Sequence, residues 1–454
     1  MTVDDIGAGY DCGDFSPTDV VSACIERIAS LEPFLNAFIA INSRMLEDAA
    51  LMDAEIAAGG RRGPLHGVPV IIKDNMNQTG FRTTAGYAGF ASDDRVVDPT
   101  IGTFNGIDLV PQADATLVAR LKAAGAVIVG KSNLPDFGLD GLRADSSHNG
   151  DTLNPYGASF APGASSTGSA TGVSAGFAPV AIGTDTAGSI LFPASAQSLV
   201  GIKPSFGLVP TDGIFPGLSS HHDVAGPIAK TVRDAATVLE IIAAAPPNAD
   251  GRGYVQALRK GALQGKVLGL FEPGEWAVDL HPEIADHYQR MIRVVESLGA
   301  RTVNVVFSDT DFKEAWDARV FFAGCNSYLA GVDEFLTGLG GANPASRKAF
   351  AERAGFEIGL ATTAPLYALL ANPAINVAPD APELAAVIDQ ANRLYDEYQS
   401  ILNAKSIDAL FVPRSVAPLP DLSGNTLQYL GDQVSGTQVN EMGLPVITVP
   451  AGQL

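Results

Sequence analysis

Cysteine is scarce in this chain. The three present, Cys12, Cys24 and Cys325, are an odd number with no C-x-x-C pair and no metal-ligand spacing, which excludes a disulfide framework and a recognisable zinc site and fits a reducing compartment. Basic residues are also few: 29 Lys and Arg stand against 50 Asp and Glu, a net charge of −21 that repels nucleic acid and anionic membrane, so neither is expected as a partner. No apolar run is long enough to span a bilayer, and the acidic start from Met1 to Ile6 has no signal-peptide core. A cytoplasmic protein is expected. Histidine, the default general base, occurs only at His66, His148, His221, His222, His281 and His287, none in an obvious catalytic setting.

What is abundant is small and apolar. With 454 residues, 46% of them hydrophobic, the chain can bury a large core. Ser16-Pro17-Thr18-Asp19 reads as a capping box opening a helix to about Leu31, and a second helix is expected over Ser43 to Ala58. Beyond them, strands expected at Val68–Ile72, Ala126–Val129, Val180–Ile182, Val267–Phe271, Val303–Val306, Ala409–Val412 and Val446–Val449 alternate with helices at Ala115–Ala124, Val232–Ala244 and Pro282–Leu298. That alternation predicts an α/β fold with helices on both faces of a sheet. From Phe312 to Ala404 the chain turns helical and rich in alanine and aromatics, with no convincing strand. Ala91 to Pro111 reads as a long irregular lid or binding loop.

Small hydroxyl residues and glycines are densest between Pro162 and Pro204. A nucleophilic hydroxyl needs an exposing turn, backbone N–H groups for an oxyanion, and a base. Gly183, Ala187, Gly188 and Ser189 can supply the first two. For the base, the apolar run Gly67 to Ile72 ends in Lys73, and a lysine in apolar surroundings loses proton affinity because desolvation disfavours its charge. Read alone, a lysine at a strand end is a solvated surface residue; the serines downstream change that reading.

These segments resemble the amidase signature family, over most of the chain: Leu65 to Asn75, the serine-glycine segment, Gly201-Ile202-Lys203-Pro204, and Gly443 to Pro450. The resemblance implies one large mixed, mostly parallel sheet covered by helices on both faces, with a helical insertion. It implies one domain over 1–454: N-terminal helices over 1–60, a catalytic α/β core over 61–310, a helical substrate-pocket insertion over 311–405, and a return to the core sheet over 406–454. It implies a Ser–cis-Ser–Lys triad with Ser189 as nucleophile, Ser165 after a cis peptide bond as bridge and Lys73 as base. The backbone N–H groups of Thr186, Ala187, Gly188 and Ser189 then form the oxyanion hole. No metal or organic cofactor is implied. Family members continue the motif in which Leu454 falls, so further strands are expected beyond it.

Ala164, Thr167 and Ala187 stand where relatives carry glycine, and Leu191 stands where an arginine is frequent, which leaves Asp185 needing another partner. Leu191, Phe192, Phe215 and Phe104 are expected to make an apolar substrate pocket, while Phe321, Phe322 and Tyr328 read as core or as a further pocket wall.

Other readings compete. Gly125 to Ser132 matches a phosphate-loop pattern, yet its middle is an apolar strand. Gly172-Val-Ser174-Ala-Gly176 matches a nucleophile elbow, which would give an α/β-hydrolase-like esterase with Ser174, Asp185 or Asp212, and His221 or His222, but no strand precedes it. Reading the glycine-serine segment as a flexible linker conflicts with the apolar runs that flank it. The reading adopted is a hydrolase that cleaves the C–N bond of a neutral, apolar or aryl amide or carbamate, with no nucleic-acid or membrane partner. An amidotransferase-type subunit that needs partner proteins is the alternative.

Overall fold

The computed structural model describes residues 1–217, 223–244, 253–271, 280–307, 325–422 and 437–452. His221, His222, Phe321 and Phe322 lie outside them.

A seven-stranded mixed sheet carries the fold, in the order Phe38–Ile41, Val127–Ser132, Pro69–Lys73, Val180–Asp185, Val224–Ala229, Val200–Lys203, Val446–Thr448. Parallel pairing is confined to the centre, where Pro69–Lys73 lies between Val127–Ser132 and Val180–Asp185, and the remaining pairings are antiparallel. The central strand is an unbroken apolar run because both faces are covered. Val70 and Ile72 enter one buried layer with Ile128, Val180 and Ile182, while Ile71 enters the other with Val173 and Ala170 of the helix Thr167–Ala175. Burying each of these valines and isoleucines contributes about 1.5–3 kcal/mol.

The expected strands all form, but three of them do not join this sheet. Arg301–Val305, Val267–Phe271 and Ala409–Phe411 make a separate parallel sheet. Conversely, Phe38–Ile41, Val200–Lys203 and Val224–Ala229 are strands that period and composition did not reveal. They are short and interrupted by glycine, proline or alanine, and sheet pairing rather than local propensity forms them. At the N-terminus, Ser16 and Asp19 do form the capping box of a helix, Pro17–Leu35, and Thr2 and Asp5 cap an unexpected first helix, Val3–Cys12. Ala91 to Pro111 is not irregular throughout: Arg95–Asp98 and Gly102–Asn105 pair as an antiparallel hairpin.

Between 325 and 404 the described elements are the helices Tyr328–Leu339, Arg347–Ala354, Tyr367–Leu370 and Pro382–Ala404. Hydrogen bonds hold this region to the core: Asp136 accepts from Thr362 Oγ1 at 2.9 Å and Thr363 N at 3.0 Å, and Tyr87 Oη donates to Leu360 O at 2.8 Å. Among the described residues no helix is long and apolar enough to cross a membrane, and no cluster of His, Cys, Asp and Glu is arranged to hold a metal. Cys12, Cys24 and Cys325 are free thiols.

The segment matching a phosphate loop is a fully buried strand, and its lysine is engaged elsewhere. Lys131 Nζ lies 2.7 Å from Asp74 Oδ1, both side chains excluded from solvent, and also donates to Arg82 O at 3.2 Å. Removing one member of a buried pair leaves an uncompensated charge, so Lys131→Met should cost about 3–5 kcal/mol in chemical denaturation, and adding Asp74→Asn should recover part of that loss. An additive double variant would mean that the two groups are not coupled.

Candidate active site

The parallel strands at the centre end together, and their carboxyl ends form the site, as is general for α/β sheets. Pro69–Lys73 terminates in Lys73, Val180–Asp185 delivers Thr184 and Asp185, and the loop entering the helix Thr167–Ala175 delivers Ser165 and Ser166. The peptide bond between Ala164 and Ser165 is cis.

Lys73 is completely buried. Its Nζ donates to Ser165 Oγ at 2.7 Å, Thr184 Oγ1 at 2.9 Å and Ser166 Oγ at 3.1 Å. Burial pushes its pKa down to about 7, against the opposing pull of the Asp185 and Asp223 carboxylates. Gly138 borders Ser165: its φ of +74° suits glycine, and a Cβ there would come within 3.2 Å of Ser165 Oγ.

Ser189 follows the Val180–Asp185 strand in a turn and is half-buried. Its carbonyl accepts from Ser166 N at 3.1 Å, which ties the two serine loops together. Asp185 shapes this turn from within. Its Oδ1 accepts from Gly188 N at 2.7 Å and Asn440 Nδ2 at 2.9 Å, and its Oδ2 from Ile190 N at 2.7 Å and Leu191 N at 3.3 Å. The carboxylate that lacks an arginine at Leu191 is thus satisfied by backbone and by an asparagine from the C-terminal region. Gly188 has a φ of +112°, which only glycine adopts freely, whereas Ala164, Thr167 and Ala187 have ordinary negative φ and accommodate a side chain.

The expected oxyanion hole needs one correction. The Gly188 N–H is spent on Asp185, so of the four groups expected, those of Thr186, Ala187 and Ser189 remain without an acceptor among the described residues. Thr186 Oγ1 donates to Asp223 Oδ1 at 2.7 Å, which fixes the first residue of the turn.

The four residues expected to form an apolar pocket are not brought together. Leu191 packs with Val305 and Phe307, and Phe192 packs with Leu142 and Ala161 beneath the Arg414 guanidinium, 5.4 Å from the ring centre. Phe215 lies in an aromatic cluster with Phe137 at 5.5 Å and Phe335 at 5.1 Å, and Phe104 packs on Phe356 at its margin. Leu191, Phe192 and Phe215 are fully buried core, because three different layers meet around the turn. Phe137, the neighbour of Gly138, stacks on Phe215 at 5.5 Å and lies 5.1 Å from Tyr367, so this aromatic cluster is one residue along the chain from the glycine that borders Ser165.

Among the described residues Ser174 is not placed as an esterase nucleophile. That residue lies inside the helix Thr167–Ala175 rather than at a strand-to-helix elbow, and Asp212 is an exposed acceptor for Thr116 Oγ1 at 2.6 Å. The linker reading fails as well, since the segment from Pro162 to Val173 is buried throughout. Sequence reasoning missed Thr184, Ser166, Asn75 and Asn440. The first two sit inside the hydroxyl-rich motifs and were legible in kind; Asn440 carried no signal.

A family model described as Amidase matches residues 19–454. The chain belongs to the amidase family. It is therefore an enzyme acting on carbon–nitrogen bonds. A glutamyl-tRNA(Gln) amidotransferase subunit from Symbiobacterium thermophilum is 31% identical over 458 residues, covering 97% of this chain and 88% of that protein. Its counterpart from Alkaliphilus metalliredigens is 38% identical over 309 residues, covering 66% of this chain and 59% of that protein. Among solved structures, the native peptide amidase from Stenotrophomonas maltophilia superposes with a TM-score of 0.82 at 31% identity, over 100% of this chain and 91% of that one.

Removing the Asp185 carboxylate would leave several buried donors unpaired, each costing about 1–3 kcal/mol. Asp185→Ala should therefore lose more stability in a denaturant titration than Asp185→Asn, which keeps one acceptor. Equal stability of the two variants would show that the turn is held by other contacts.

Proposed function

We propose that this amidase hydrolyses a neutral, apolar or aryl amide or a related carbamate through Ser189, Ser165 and Lys73. The observation that carries the reading is a fully buried lysine amine 2.7 Å from the Ser165 hydroxyl, with further hydroxyls as its other hydrogen-bond partners. A neutral Lys73 takes the proton of Ser165, Ser165 takes that of Ser189, and Ser189 Oγ attacks the carbonyl carbon. The N–H groups of Thr186, Ala187 and Ser189 receive the developing oxyanion. Collapse of the adduct returns the proton through the same relay to the leaving nitrogen, and the acyl-enzyme is then attacked by water activated in the same way.

The aromatic cluster of Phe137, Phe215 and Tyr367, one residue along the chain from Gly138 beside Ser165, supports an apolar surrounding for the substrate, where each buried methylene adds about 0.8 kcal/mol and a charge must be desolvated. The Asp185 and Asp223 carboxylates disfavour an anionic substrate. A second reading is an amidase subunit of an amidotransferase, supported by the names of the curated relatives, and it predicts that activity needs partner proteins.

Three measurements test this. Ser189→Ala should abolish turnover and covalent labelling by a serine-reactive probe, and Ser165→Ala should lose about 10²–10⁴ in rate, while Ser174→Ala stays near wild type. Because the relay needs the unprotonated amine, the rate should climb as pH rises through about 7, and both Lys73→Ala and Lys73→Arg should be dead, arginine remaining protonated. An active arginine variant would reduce the lysine to an electrostatic anchor. On a panel of amides, anilides and carbamates, neutral aryl and alkyl compounds should exceed charged amino-acid amides in kcat/KM with the purified chain alone. Turnover of glutamine appearing only with added partner subunits would favour the second reading.

A further inference from the structure

The turn beside Ser165 is built from groups that are costly to place there. Asp136 is completely buried, yet among the described residues no lysine, arginine or histidine pairs with its carboxylate, and a buried charge must then be satisfied by hydrogen bonds. Phe137 follows with a φ of +59°, a left-handed conformation that costs a non-glycine residue about 1–2 kcal/mol. Gly138 completes the turn, and its backbone borders Ser165. Such features persist only where the surroundings over-determine them, and they gather at functional sites.

The groups that hold this turn come from elsewhere in the chain. Asp136 Oδ1 accepts Ser147 N–H at 2.8 Å, while Oδ2 accepts Thr362 Oγ1–H at 2.9 Å and Thr363 N–H at 3.0 Å. Both oxygens must accept, so a carboxamide, with a single acceptor atom, cannot take the place of the carboxylate. Phe137 N–H donates to Ala85 O at 2.7 Å, and its ring packs on Tyr87 at 4.8 Å and Tyr367 at 5.1 Å. Those two tyrosines donate to Leu360 O and Ile358 O. The stretch 358–367 of the helical region is thus tied to the turn through the carboxylate and through the ring.

We infer that Asp136 is a positioning residue: it fastens the 358–367 stretch to the turn 136–138 and, through the backbone of Gly138, fixes where the Ser165 hydroxyl stands. The inference rests on the relay proposed above, in which Ser165 lies between Lys73 and Ser189. The line of contact is short. Thr362 and Thr363 meet the carboxylate directly, the carboxylate is two residues from Gly138, and a Cβ on Gly138 would come within 3.2 Å of Ser165 Oγ. A turn released from 358–367 lets Ser165 leave its 2.7 Å contact with Lys73 Nζ, and misplacement by about 1 Å can cost about 10²-fold in rate.

The test is labelling of the purified chain by a fluorophosphonate serine probe, read as limiting rate, half-saturating concentration and end point, with thermal melting as the folding control. Thr362→Val keeps shape and removes one donor, and Thr362→Ser restores it. The limiting rate should fall about threefold in Thr362→Val and about tenfold or more in Asp136→Asn, with complete end points and half-saturating concentrations within about twofold of wild type. Thr362→Ser should return the rate to wild type. Asp136→Asn should be as slow as Asp136→Ala, since it cannot accept on both sides, and adding Thr362→Val to Asp136→Ala should cost nothing further. Three results overturn the inference: an end point lost in proportion to the rate, which reduces Asp136 to a folding role; a raised half-saturating concentration at an unchanged limiting rate, which makes the stretch a pocket wall; and wild-type rates in both Thr362→Val and Asp136→Asn. If the Asp136 variants do not fold, the Thr362 pair carries the same reading. Ser165→Ala runs alongside: labelling at the wild-type rate there overturns the relay itself, whatever the Thr362 variants do.

Discussion

Placing an amine at the blind end of a fully apolar strand is the constraint from which the rest of the site follows. A charged lysine there would have to be desolvated without a carboxylate at its side, so the amine is driven toward its neutral form. That in turn demands partners that tolerate either protonation state. Hydroxyls do so, because each can accept a hydrogen bond or donate one. The strands beside Pro69–Lys73 and the loop leading into Thr167–Ala175 converge to deliver them.

Two other buried lysines show what the protein does when a charge is wanted or avoided. Lys131, one strand away, has the Asp74 carboxylate at 2.7 Å and is a paired charge. Lys203 donates to the carbonyls of Leu444 at 2.7 Å and Pro204 at 3.1 Å, and burial pushes it down to about 8. It fastens the Val200–Lys203 strand to the segment before Val446–Thr448. Lys73 differs from both in that its partners are the hydroxyls of Ser165, Ser166 and Thr184.

Asp185 illustrates how the turn around Ser189 can be built without an arginine at position 191. Successive backbone N–H groups can satisfy a carboxylate without a counter-ion. Asp185 holds the turn while taking Gly188 N–H away from any oxyanion. Asn440 closes the arrangement from a region more than two hundred residues distant in sequence. Leu191 is thereby released to pack in the apolar layer with Val305 and Phe307.

The sequence by itself determined the mixed α/β fold, the family, and the residues converging on the serine-glycine segment, because apolar period and local motif are properties of contiguous chain. The placing of Lys73 at a strand end and of Ser189 in a turn was legible for that reason, whereas Ser165 was singled out only through the family resemblance. The separate sheet of Val267–Phe271, the short strands of Phe38–Ile41 and Val224–Ala229, and the scattering of Leu191, Phe192 and Phe215 into different layers were decided only by tertiary structure. Burial of an apolar side chain follows from sequence, but what it is buried against does not. The same holds for the contacts of Ser166 and Thr184 with Lys73: hydrogen bonds are directional, and these form only when segments distant in sequence lie side by side.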